Sequence, residues 1–202
     1  MNVDNTSLIL IGYQNDYFAP DGILRNVIEE SEKTINTLQN TISLLEKLKS
    51  TSIKIISTPI LFTPNYSEIL EPVGILKTIK EVGAFKQDTF GGKTIEAIAN
   101  LGDRVTEIPG KRGLNAFVNT ELDKTLKKNN TEHIVIAGAV TSICIDSTGR
   151  AAHELGYKVT ILSDCTVGRS QYEQDFYCST VFPLYAEVLN HQALLTKLNL
   201  SS

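Results

Sequence analysis

The chain has 202 residues, 42% hydrophobic and 21% charged, with a net charge of −4 and a pI near 5.4. That apolar content excludes large-scale disorder, because it can offset the entropy lost on folding, and the acidic balance argues against a broad nucleic-acid surface. Three cysteines, none in a CxxC pair, exclude a disulfide framework and a zinc finger or knuckle.

The first apolar run, Leu8 to Ile11, reads as a strand over 7–11. It is too short for a signal-peptide core or a membrane span, so the expected location is the cytoplasm, where thiols stay reduced. A helix is predicted over 29–49, where Ile35, Leu38, Ile42, Leu45 and Leu48 recur at spacings of three and four. Glu29, Glu30 and Glu32 at its start and Lys47 and Lys49 at its end complement the helix dipole. A strand over 53–57 precedes an irregular stretch, 59–92, which carries Pro59, Pro64 and Pro72 and has a glycine-rich end. This is long for a loop, so short helices and a lid over a site are expected there.

A short helix over 93–101, a strand over 104–108 and a helix over 120–128, with Thr120 as its cap, follow. Then come a strand over 133–137, a helix over 142–155 ended by Gly156, and a strand over 158–162. A helix over 170–177, a weaker strand over 186–189 and a helix over 191–198 complete the chain. Strand–helix alternation throughout predicts one α/β domain, 1–202, with a parallel sheet. In such a sheet the site lies beyond the carboxyl ends of the strands.

Those ends carry the candidate chemistry. After the fourth strand, Gly138 leads through Thr141 and Ser142 to Cys144, where helix-end N–H groups would favour thiolate and could hold an oxyanion. The competing reading is a small apolar residue packing the helix on the sheet. Cys165 and Cys178 read as core or supporting residues. Lys111 follows the third strand and is either a functional cation or a solvated one. Asp16 follows the first and is either a general base or a helix cap. The FGGKT run over 90–94 lacks the first glycine of a phosphate loop, and no GxGxxG follows a strand, so a nucleotide fingerprint is missing. The three histidines are far apart in sequence, which leaves a His-based metal site unsupported.

Three runs carry a resemblance. Gly138 to Thr166 reads GAVTSICIDSTGRAAHELGYKVTILSDCT, Lys111 to Phe117 reads KRGLNAF, and Leu8 to Phe18 reads LILIGYQNDYF. Together they resemble the isochorismatase-like cysteine hydrolases, which include nicotinamidases and carbamoylases. The resemblance implies a Rossmann-like three-layer α/β fold with a six-stranded, mostly parallel sheet flanked by helices. It also implies an Asp-Lys-Cys triad. Carried over by motif, Cys144 is the nucleophile and Lys111 the lysine. The backbone N–H groups of Val140 and Cys144 form the oxyanion hole, with a cis peptide between Ala139 and Val140.

Gly12 stands where the family has its catalytic aspartate, and Asp16, the nearest acid, becomes the third catalytic candidate. Losing the general base alone would slow catalysis by about 10²–10⁴. Gln14, Phe62, Phe90 and Thr141 are candidates for the substrate pocket. The stretch 59–92 has no histidine, so the metal site of the nicotinamidase branch is not expected, nor is any other cofactor. The expected partners are a small-molecule substrate and further copies of the chain, with no nucleic acid and no membrane. Two functions follow: a cysteine hydrolase of a small amide, ureide or related C–N bond acting through a Cys144 thioester, or an impaired pseudoenzyme of the same fold that binds a small molecule or partner.

Overall fold

A computed structural model describes residues 1–28 and 31–200. Its six strands are β1 (Thr6–Ile11), β2 (Lys54–Thr58), β3 (Val105–Glu107), β4 (His133–Ala139), β5 (Lys158–Val167) and β6 (Glu187–Leu189). They form one parallel sheet in the order β3-β2-β1-β4-β5-β6. The helices are α1 (Asn15–Phe18), α2 (Ser31–Leu48), α3 (Gly74–Val82), α4 (Glu96–Ala99), α5 (Leu122–Lys128), α6 (Asp146–Glu154), α7 (Gln171–Phe176) and α8 (His191–Lys197). Among the described residues no helix is long and apolar enough to cross a membrane.

Side chains alternate along a strand, so a sheet covered on both faces needs apolar residues at every position. In β1, Leu8 and Leu10 enter one cluster with Leu44, Leu45 and Leu48 of α2 and Leu194 and Leu195 of α8. Ile9 and Ile11 enter the opposite cluster with Leu122 and Leu126 of α5 and Ala152 of α6. Each such leucine or isoleucine contributes roughly 1.5–3 kcal/mol on burial. The result is the helix–sheet–helix layering expected from the sequence.

Helix α2 departs from its predicted stripe. Ile35 is 45% exposed, and the buried face runs instead through Thr34, Thr37, Thr41, Leu44, Leu45 and Leu48. Two of the threonines find polar partners on this face, while Thr34 Oγ1 is buried without one. Thr37 Oγ1 donates to Thr166 O, and Thr41 Oγ1 hydrogen-bonds both Thr37 O and the Tyr13 hydroxyl. The predicted start of the helix at Glu29 and Glu30 lies outside the described residues.

Strands β4 and β5 run further than predicted, to Ala139 and Val167, through a register shift between Ile136 and Gly138. Gly138 makes this possible. Its φ is +133°, and a Cβ there would lie 1.9 Å from Ile11 O, so only glycine lets β4 lie so close to β1. The helix predicted over 93–101 is reduced to α4 and a short 3-10 turn at Gly102–Arg104. The stretch 59–92 does hold a helix, α3, and it ties back to the main body through single bridges pairing Ile60 with Lys111 and Gln14 with Thr94.

Strands β1 and β4 are neighbours in the centre of the sheet. The chain continues from β1 to β2 on one side and from β4 to β5 on the other. Such a reversal opens a crevice beyond the strands' carboxyl ends, and it brings Gly12 beside Ala139.

Candidate active site

After β4 the peptide between Ala139 and Val140 is cis. The chain then enters a π-helical turn, Thr141–Ile145, before α6 begins. Widened turns of this kind occur often at functional sites. Cys144 lies inside it, 8% exposed. The turn is held from α7. Glu173 accepts from the Ser142 N–H and, through both carboxylate oxygens, from the backbone and guanidinium of Arg169. Burial pushes the Glu173 carboxyl up, but these hydrogen bonds outweigh it and leave it below the usual glutamate value. Thr141 Oγ1 donates to Gln174 Oε1, 2.6 Å away.

Lys111 reaches the same place from beyond β3. The residue is 1% exposed, and its Nζ lies 3.6 Å from Cys144 Sγ while donating to Gly113 O. A buried cation needs partners of this kind, because leaving it unpaired costs several kcal/mol. The two residues are 33 positions apart in sequence, and parallel strand pairing places them together.

Gly12 ends β1 with φ +71°, and a Cβ there would lie 2.9 Å from Ala139 O. The backbone at this position is therefore shaped for glycine, and an acid would strain it.

The Asp16 carboxylate is engaged with the backbone at Phe85, accepting from the N–H at 2.6 Å, and a Cβ on Gly91 would lie 2.0 Å from Asp16 Oδ1. Among the described residues no hydrogen bond or ion pair joins it to Lys111 or Cys144. The short helix α1 turns Asp16 toward the segment 85–91, which also explains Gly91 of the FGGKT run, whereas a Cβ on Gly92 would meet Lys86 O at 2.3 Å. Burial raises the Asp16 carboxyl above the usual aspartate value, against the lowering effect of backbone donors at Phe85 and Ile23.

A narrow, almost wholly apolar cavity lies against Sγ. Its wall includes Tyr17, Ile75, Ile79, Phe85, Leu114 and Ile143, together with Gly12, Lys111 and Cys144. None of the four predicted pocket residues lines it. Gln14 is spent on backbone: its amide donates to Ile60 O and Gly92 O and its carbonyl accepts from Ile60 N–H. Phe62 is fully buried against Tyr66. Phe90 is 60% exposed, and Thr141 is committed to Gln174. The sequence did contain a signal for part of the true wall: Ile75, Leu76 and Ile79 have helical spacing within 59–92. Outside the cavity an open groove shares Ile75, Leu114 and Ile143 and continues to Tyr172 and Phe176.

The other cysteines are built differently. Burial pushes the thiols of Cys165 and Cys178 up, the latter to about 11. The atoms of Asp164, Cys165 and His191 that could bind a metal lie within 4.8 Å of one another, a grouping the sequence did not suggest. However, Asp164 is already engaged, accepting from His191 N–H at 2.9 Å and pairing with His191 Nδ1 at 2.6 Å. These contacts anchor the start of α8.

The isochorismatase domain model matches residues 6–193 of the chain. An uncharacterized isochorismatase family protein of Bacillus subtilis, YddQ, is 27% identical over 169 residues, covering 83% of this chain and 81% of that protein. The ureidoacrylate amidohydrolase RutB of Caulobacter vibrioides is 26% identical over 176 residues, covering 80% and 76%. Among solved structures, a cysteine hydrolase from Pseudomonas syringae shares the fold with a TM-score of 0.87 at 20% identity, over 98% of this chain and 94% of that one. The domain model runs from the first strand of the sheet past the last, and on that basis the chain belongs to the isochorismatase family.

Proposed function

We propose that this protein hydrolyses the C–N bond of a small neutral amide or ureide through a thioester on Cys144. The observation that carries the reading is the buried Lys111 Nζ at 3.6 Å from Cys144 Sγ, at the mouth of a cavity with apolar walls. The cavity has a volume of only about 10 Å³, room for about one water, so it takes the reacting end of a small substrate whose remainder lies in the open groove outside. Its apolar walls suit a neutral end, since a charged one would lose its hydration without compensation. The relative named for ureidoacrylate amidohydrolysis supports the bond class.

In this mechanism the Cys144 thiolate, paired with the Lys111 ammonium, attacks the carbonyl carbon. A C–S bond forms and the carbonyl π electrons move to oxygen, where the N–H groups of Val140 and Cys144 receive the charge. Collapse breaks the C–N bond, and the amine leaves with a proton from Lys111. Neutral Lys111 then takes a proton from water as the water attacks the thioester. Loss of the acid restores thiolate and ammonium, so the sum is amide plus water giving acid plus amine. Lysine thus carries the proton that the family's aspartate would otherwise move. The side chains lining the cavity include no histidine or carboxylate, so they do not fit a metal ion.

A second reading, a pseudoenzyme that binds without turnover, draws on the Gly12 backbone, which disfavours the usual acid. A panel of small neutral amides, ureides and carbamoyl compounds, followed by amine or ammonia release, separates the two. The hydrolase reading expects turnover that Cys144→Ala abolishes. Release no greater than that of Cys144→Ala across the panel, with ligands still raising the melting temperature, establishes the second.

A further inference from the structure

The cavity wall contains three polar side chains: Lys111, Cys144 and Tyr17. Lys111 and Cys144 are engaged with each other, and Lys111 also with Gly113 O. Tyr17 is different. It is 4% exposed, its ring is fixed edge-on to Phe85 with centroids 5.1 Å apart, and its hydroxyl has no hydrogen-bond partner among the described residues. The hydroxyl is not one of the fully buried atoms left without a partner, so it keeps some exposure, and in the wall of this cavity it is free to bond a ligand.

The ring also occupies the space beside the glycine. A Cβ on Gly12 would lie 3.6 Å from Tyr17 Cδ2 and 3.7 Å from Cε2. The remaining wall is aliphatic or aromatic and can recognise shape but not polarity.

We propose that the Tyr17 hydroxyl is the substrate-binding hydrogen-bonding group of this cavity, accepting from the N–H of a neutral amide or ureide whose carbonyl faces Cys144. The proposal rests on the hydrolase reading and adds to it the contact that selects an N–H-bearing substrate over an ester of the same shape. Burial, then the charges of Cys144 and Asp16, hold the phenol proton in place, so the group acts as a neutral hydroxyl and not as a base.

Two neutral electrophiles test this without a known substrate. Iodoacetamide carries an N–H group and methyl iodoacetate does not, while both alkylate a thiolate with loss of iodide. In Tyr17→Phe, alkylation of Cys144 by iodoacetamide is expected to slow by about 3- to 10-fold, the worth of one hydrogen bond, with the methyl iodoacetate rate unchanged. The melting temperature should hold, because the ring and its contact with Phe85 remain. Equal slowing of both reagents, or no change in either, overturns the proposal. If the wild-type protein turns over nothing in the amide panel, the hydrolase reading falls, and the reagent pair still decides the role of Tyr17.

Discussion

Replacing Asp16 by Asn separates a carboxylate that holds the cavity wall from one that performs chemistry. Asp16 accepts from Phe85 N–H at 2.6 Å and also from the backbone at Ile23, and it is packed so tightly against Gly91 that a Cβ there would lie 2.0 Å from Oδ1. Asn offers one acceptor oxygen in place of two, so one backbone donor loses its partner at a cost of about 1–3 kcal/mol. For a chain of this length that lowers the melting temperature by roughly 2–12 °C.

The pH dependence has a definite sign. The folded protein holds the Asp16 proton more tightly than the unfolded chain, so its contribution to stability is fully present below the unfolded value of 3.8 and is lost as pH rises through the raised folded value. Asn cannot titrate. The stability gap between wild type and Asp16→Asn should therefore narrow as pH rises through that window, as read by urea denaturation at several pH values. Activity should stay within about tenfold of wild type, because Phe85 is still held by the remaining acceptor. A loss of about 10²–10⁴ with an unchanged melting temperature is the signature of a missing general base and would refute the reasoning.

Two further outcomes follow from the supports of the fold. Arg104 donates to the carbonyls of Leu48, Lys49, Thr51 and Ile53, so Arg104→Ala should cost about 2–4 kcal/mol in urea denaturation; a loss below about 0.5 kcal/mol would contradict this. The Glu173 carboxyl is lowered from 4.5, so its stabilisation is present above that value and is lost as pH falls through the lower folded one. Glu173→Gln should be less stable than wild type at pH 7 by about 1–3 kcal/mol, with the gap closing on acidification, as followed by thermal melts.

The parallel sheet was legible in the sequence because its strands are short, β-branched and doubly buried, as in Leu8 to Ile11 and Ile134 to Ala137. Position alone left Cys144 and Lys111 open between functional and structural roles, and only the resemblance of the runs around them singled them out; the structure brings the two together at 3.6 Å. The buried face of α2 was not legible, because threonines whose hydroxyls turn to backbone carbonyls look polar in a periodicity count. The cavity wall was not, because it is assembled from α1, α3 and the π-helical turn, and sequence gives no distance between them. The role of Asp16 depended on which way a four-residue helix turns its first carboxylate.

Cys144 as the reacting atom is tested most directly by quenching the protein in acid during turnover of a small activated amide or ester and mapping the acyl mass by peptide mass spectrometry. The account predicts a single acyl group on Cys144, absent from Cys144→Ala, with Cys165 and Cys178 unmodified because burial keeps both as thiols. An acyl group on either of those cysteines, or turnover that persists in Cys144→Ala, would contradict it.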